Sequence, residues 1–192
     1  MTIRTVYQTL EDRGNPDYVE QNGPFKCDRN NAWLGDGYYF WDSFIENAHW
    51  WGSEGASYSN GYMICKSTYL LDEEKCFNLI DNAIHFKMYN DTKQLMKDKG
   101  LYKENITTVA RIIEHIKNTL KIFKYDGIRV YGINSKSFSS PYSNRTIFDK
   151  KHNTKYLDSL PAIQICFYTT KSLNLKGFKL IHPPEYTDDY LV

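Results

Sequence analysis

The sequence predicts an α+β fold, and three observations carry that reading. Short runs rich in β-branched and aromatic residues recur along the chain and read as strands. One segment, Asn105 to Phe123, repeats apolar residues at three- and four-residue steps and reads as an amphipathic helix. The two kinds of segment do not alternate as a doubly wound parallel sheet requires. The chain has 192 residues, 41% of them hydrophobic, which is enough for a core. No repeat, low-complexity tract or Gly/Ser/Pro-rich linker divides it, so residues 1–192 are expected to form one domain.

Taken in order, Thr2 to Leu10 alternates weakly and predicts a strand. Glu11 to Asn31 is polar and turn-rich, with room for a short helix from Pro16 to Gln21 opened by its proline. The string WLGDGYYFWD reads as a glycine-punctuated turn entering an aromatic strand. Asp42 or Ser43 is then a candidate N-cap with Glu46 near the third helical position, for a helix ending at Gly52. Gly61 to Leu71 and Cys76 to Ile80 read as strands, Asn82 to Lys99 as a helix stopped by Gly100, and YDGIRVYGI as a strand entered by an Asp-Gly turn. Ser135 to Ser159 is a long polar loop. Ala162 to Tyr168 is a strong apolar strand, and Leu175 to Ile181 a last one.

Composition excludes several function classes. With 24 basic and 23 acidic residues the net charge is +1, so no whole-molecule field draws in nucleic acid or an anionic membrane. No apolar run approaches the ~18 residues that a membrane span needs. The N-terminus carries no secretory pattern, and a cytoplasmic location is expected. Cys27, Cys65, Cys76 and Cys166 show neither CxxC nor zinc-like spacing, so they read as reduced thiols and no metal is expected. His49, His85, His115 and His182 are scattered. Aromatic residues reach 16%, including 16 Tyr, which suits a wet aromatic pocket as well as a core.

The most informative string is GDGYYFWDSFIENAHWW. Two glycines two apart allow a close backbone approach, and an aromatic strand followed at once by a helix can clamp a planar ring between two aromatic side chains. The same residues would equally serve an aromatic strand packed on its own helix. The string resembles the second motif of the ADP-ribosyltransferase superfamily, in the branch of the poly-ADP-ribose polymerases and diphtheria toxin. Gly35, Gly37, Tyr39 and Phe40 match its first part, and Ala48 and Trp50 its second. Two further islands fall in the order of the family. Val6-Tyr7-Gln8-Thr9 sits where the first motif would be, with Gln8 in place of a His or Arg. Gln164-Ile165-Cys166-Phe167-Tyr168 resembles the third motif, with Gln164 in place of a Glu. The continuation QICFYTTKSL also resembles the C-terminal strand of small uncharacterised bacterial members.

The resemblance implies a split, mostly antiparallel two-sheet fold around an NAD cleft, with NAD as substrate. Tyr39 and Trp50 would stack on the nicotinamide ring. Thr9 would offer its backbone N–H and C=O to the carboxamide, with Gln8 and Gly37 beside it. Gln164 and Tyr39 would serve the chemistry: nicotinamide leaves the ribose, and a nucleophile on a protein or nucleic-acid acceptor takes the ADP-ribose. The loop before Gln164 would face that acceptor through Tyr142, Arg145 and Phe148, with Lys150, Lys151 and His152 nearby. Gln8 cannot supply charge, and Gln164 lacks the carboxylate that stabilises a cationic sugar, a loss worth about 10²–10³ in rate. Asp158 is the closest carboxylate in sequence that could substitute. Two alternatives follow from these departures: a silent member that binds NAD, ADP-ribose or a protein, and an NAD glycohydrolase.

Overall fold

A computed structural model describes residues 1–27, 32–131, 140–151 and 156–187. Among the described residues, nine strands and four α-helices follow one another as β1 (Thr2–Glu11), α1 (Pro16–Asn22), β2 (Tyr38–Asp42), α2 (Ile45–Trp50), β3 (Tyr62–Leu71), β4 (Cys76–Leu79), α3 (Ala83–Asp98), α4 (Val109–Glu114), β5 (Gly127–Tyr131), β6 (Arg145–Ile147), β7 (Tyr156–Asp158), β8 (Ile163–Phe167) and β9 (Lys176–His182). Seven of these strands form one sheet in the order β4-β5-β8-β2-β1-β3-β9, and β6 and β7 pair as a separate small hairpin. Only β4 and β5 run parallel; every other neighbouring pair is antiparallel. The fold is thus α+β and mostly antiparallel. The two sheets are unequal: one continuous seven-stranded sheet, because β2 pairs with β8 on one side and β1 on the other, and the small β6–β7 sheet.

The period-two alternation sorts the core. On one face, Phe77, Ile128 and Cys166 receive Met96 of α3 and Ile112 and Ile113 of α4. Further along that face, Trp41 and Ile64 pack on Ala48 and Trp50 of α2. The opposite face buries Val6, Phe40, Tyr69, Ile165 and Phe167.

Two helix starts differ from the sequence expectation, for identifiable reasons. Asp42 does not cap α2. It is fully buried and accepts from Arg129 Nε at 2.5 Å, Tyr69 Oη at 3.0 Å and Ser43 Oγ at 2.8 Å. Ser43 adopts a left-handed φ of 70°, so the N-cap position passes to Phe44. The helix expected from Asn105 begins instead at Val109. Asn105 is left-handed, and the Thr108 hydroxyl accepts from the Arg111 N–H as N-cap. Both α2 and α4 then unwind into a π-helical turn, Trp51–Gly55 and His115–Leu120. In contrast, α3 starts as expected, with Asn82 accepting from Ile84 and His85 N–H. The long polar loop holds the β6–β7 hairpin in its described part.

Candidate functional site: an aromatic cavity between diverging strands

The sheet opens between β1 and β2. They pair only at Val6↔Asp42 and Tyr7↔Trp41, whereas β1 stays with β3 as far as Glu11↔Tyr62. The segment Phe25–Cys27 enters the gap, with Cys27 bridged to Gly37. A cavity of about 310 Å³ occupies the rest, a volume at the lower end of small-molecule sites. Three indoles, Trp33, Trp41 and Trp51, wall it together with Phe25, Tyr39 and Tyr58. Gln8, Thr9 and Gln164 complete the polar part of the wall, and Lys26 supplies a cation.

Gln8 is 5% exposed, and both ends of its amide are engaged. Its Oε1 accepts from Phe25 N–H at 2.9 Å, while Nε2 donates to Phe25 C=O at 2.8 Å and Tyr39 C=O at 3.2 Å. The side chain thus imitates a strand backbone and ties the inserted segment to β2. Thr9 donates its hydroxyl to Ala48 C=O at 2.9 Å, anchoring α2 on β1. Thr5 C=O faces β2, where it accepts from Ser43 N–H. By antiparallel alternation the Thr9 N–H and C=O point the same way, into the region that β2 has left.

Tyr39 lines the cavity with its ring while its hydroxyl is held elsewhere. That hydroxyl accepts from Leu34 N–H at 2.8 Å and donates to Gly35 C=O at 2.7 Å. Burial, reinforced by the nearby Cys166, holds the phenol far above its ordinary range and favours its neutral form. The close approach at Gly37 is to protein: a Cβ there would overlap Cys166 Sγ and Phe167 O on β8.

Gln164 sits on β8 opposite Trp41 on one side and Val130 on the other, in the middle of the sheet. Its side chain is 7% exposed, lines the cavity, and accepts from Trp33 Nε1 at 2.8 Å through Oε1. The nearby Cys166 thiol is raised to about 12 by burial and stays protonated.

Trp50, like Gly37, is expected from the sequence but lies outside the wall. It is buried against Trp41, edge to face at 6.0 Å, and against Trp51 at 5.9 Å. Trp51 reaches the cavity instead. One helical residue turns the side chain by about 100°, and the switch from α to π winding falls at this step. Asp158 also lies elsewhere, on β7, where Tyr131 Oη donates to it at 3.3 Å. Among the described residues lining the cavity none is Asp or Glu. In the loop before β8, Tyr142 packs near Trp41, Arg145 lies over the Tyr156 ring at 4.6 Å, and Phe148 is 72% exposed. Lys150 and Lys151 are exposed, and His152 lies outside the described residues.

Sequence reasoning missed Trp33, Phe25 and Tyr58, and preferred Trp50 to its neighbour Trp51. Trp33 carried a faint signal, a large aromatic in a polar turn beside the glycines. Among the described residues no group of three or more His, Cys, Asp or Glu could hold a metal, and no helix is long and apolar enough to cross a membrane. No protein-family model, curated protein or solved structure matches the chain.

Proposed function

We propose that the cavity between β1 and β2 binds NAD, as in the ADP-ribosyltransferases that three islands of this sequence resemble, and that it holds the dinucleotide with little turnover. One observation carries the reading. The three islands, spread from Gln8 to Gln164, fall on the adjacent strands β1, β2 and β8, and each contributes to the wall of a single cavity. Aromatic walls suit a planar ring, the outward Thr9 backbone suits a carboxamide, and Lys26 suits a phosphate.

Slow turnover is supported by the polar inventory. Gln8 is engaged on both ends by Phe25, and no carboxylate lies among the described cavity residues to stabilise a cationic sugar. Transfer of ADP-ribose to a macromolecular acceptor is the second reading. It is favoured by the β6–β7 hairpin, which exposes Ile147, Phe148 and Leu157 as an apolar surface in the loop before Gln164.

Incubation with NAD, with and without cell lysate, separates these readings. Binding without nicotinamide release supports the holding domain. Release only with lysate indicates transfer, and release without lysate indicates hydrolysis. Absence of binding in every arm rejects the NAD reading.

A further inference from the structure

The Trp33–Gln164 hydrogen bond decides what kind of ligand group the cavity can read. An indole N–H is a donor only, so the Gln164 atom that meets it must be the oxygen. A turned amide would set N–H₂ against N–H and lose the bond. The amide nitrogen therefore takes the other direction, and among the described residues no partner takes its hydrogens. The backbone beneath is fixed by ladders to both β2 and β5, so the side chain has little freedom to adjust. Three other polar side chains of the wall direct their hydrogens elsewhere: Gln8 Nε2 donates to Phe25 and Tyr39 C=O, Thr9 Oγ1 to Ala48 C=O, and Tyr39 Oη to Gly35 C=O.

We infer that Trp33 is a positioning residue that turns the Gln164 amide into a fixed donor, so the cavity selects planar ligands bearing an acceptor at that point, such as a carbonyl, carboxylate or phosphate oxygen. A group that must donate there, as a sugar hydroxyl does to a carboxylate, meets an oxygen with one of its two lone pairs already engaged by Trp33. This inference rests on the cavity being the ligand site, as proposed above, and not on the ligand being NAD.

The test uses two planar probes of similar size and opposite hydrogen-bonding character, benzoate (acceptors only) and benzamidine (donors only). Their affinities are measured for wild type, Trp33→Phe and Gln164→Leu, so the overall charge of each probe cancels in comparisons between variants. Gln164→Leu is expected to weaken benzoate at least fivefold and leave benzamidine within twofold. Trp33→Phe keeps the ring but frees the amide to turn, and is expected to weaken benzoate about threefold and strengthen benzamidine. The indole N–H resonance missing from Trp33→Phe should move in Gln164→Leu. Benzoate affinity unmoved by Gln164→Leu, benzamidine weakened with it, neither probe binding the wild type, or an unmoved indole resonance each overturns the inference. An NAD titration of the same proteins keeps the two readings apart. NAD binding without probe discrimination rejects only the role of Trp33, and discrimination without NAD binding rejects only the choice of NAD.

Discussion

Gln8 and Gln164 stand in corresponding places of the resemblance and do different work. Gln8 is a clamp. Gln8→Leu keeps the volume but leaves the Phe25 N–H and C=O without their partners, which should cost about 1–3 kcal/mol of stability, read by urea unfolding. An unchanged midpoint would mean that the inserted segment does not depend on the amide. Gln164 faces the cavity, and Gln164→Glu supplies a carboxylate that can take the Trp33 N–H on one oxygen and offer the other to the ligand. Nicotinamide release should rise about tenfold or more, the lower range for gaining a positioned electrostatic partner. No rise, with NAD still bound, would show that the missing carboxylate is not what limits chemistry. Both glutamines were legible in the sequence through their motifs, but their partners were not. Phe25 and Trp33 lie 17 and 131 positions from the glutamines they bond, in segments that local pattern marks only as turns.

At the scale of elements, most strands fall where alternation put them, and the errors gather where a side chain is taken by a distant strand. Asp42 reads as a helix cap because it stands just before a helix. It is instead the buried counter-ion of Arg129, two strands away in the sheet. Burial by itself would lower the Arg129 pKa, and Asp42, with help from Tyr69 and Asp81, more than reverses that, leaving it above its usual value. Breaking such a pair from one side leaves a buried charge, so Asp42→Asn or Arg129→Met should cost about 3–5 kcal/mol by denaturant unfolding. A cost below about 1 kcal/mol would mean that the pair is not closed in solution. A second element-level consequence is acid sensitivity. His49 of α2 contacts Tyr62 Oη at 3.0 Å and lies 4.8 Å from the His182 ring at the end of β9, while His85 accepts from Asn78 N–H. Burial lowers all three imidazoles below the ordinary 6.5, and His49 further lowers His182, while Glu46 and Glu185 oppose this only in part. The unfolded chain therefore binds protons first as pH falls. The stabilisation is complete above about pH 6.5 and is lost as pH drops through the folded values. Thermal midpoints should fall from pH 7.5 to 5, with a shallower fall in His182→Asn; equal slopes would remove His182 from the account.

For the whole molecule, the one continuous sheet decides what the cavity can do. Both walls belong to the same sheet: β1 is locked to β3 through ten paired positions, and β2 to β8 through four. The gap between them is closed at one end by Tyr7↔Trp41 and held open by the clamped Phe25–Cys27 segment. That site is built in the folded chain and absent from the unfolded one, because its wall joins residues from Gln8 to Gln164. This also limits what a sequence can reveal, since periodicity places strands but does not say where two of them part. A ligand that binds only the folded state stabilises it by about 2.7 kcal/mol at one hundred times its Kd. For a chain of this size, each kcal/mol moves Tm by roughly 2–4 °C. NAD at that excess should raise Tm by about 5–10 °C, and the shift should shrink in Tyr39→Ala, which removes one aromatic wall. The same binding should slow alkylation of Cys27, the one cysteine of the four that is not buried and a residue of the cavity wall. A Tm shift without protection of Cys27 would place NAD elsewhere on the protein. Protection with a Tm shift that survives in Tyr39→Ala would keep the cavity and remove the ring of Tyr39 from the contact.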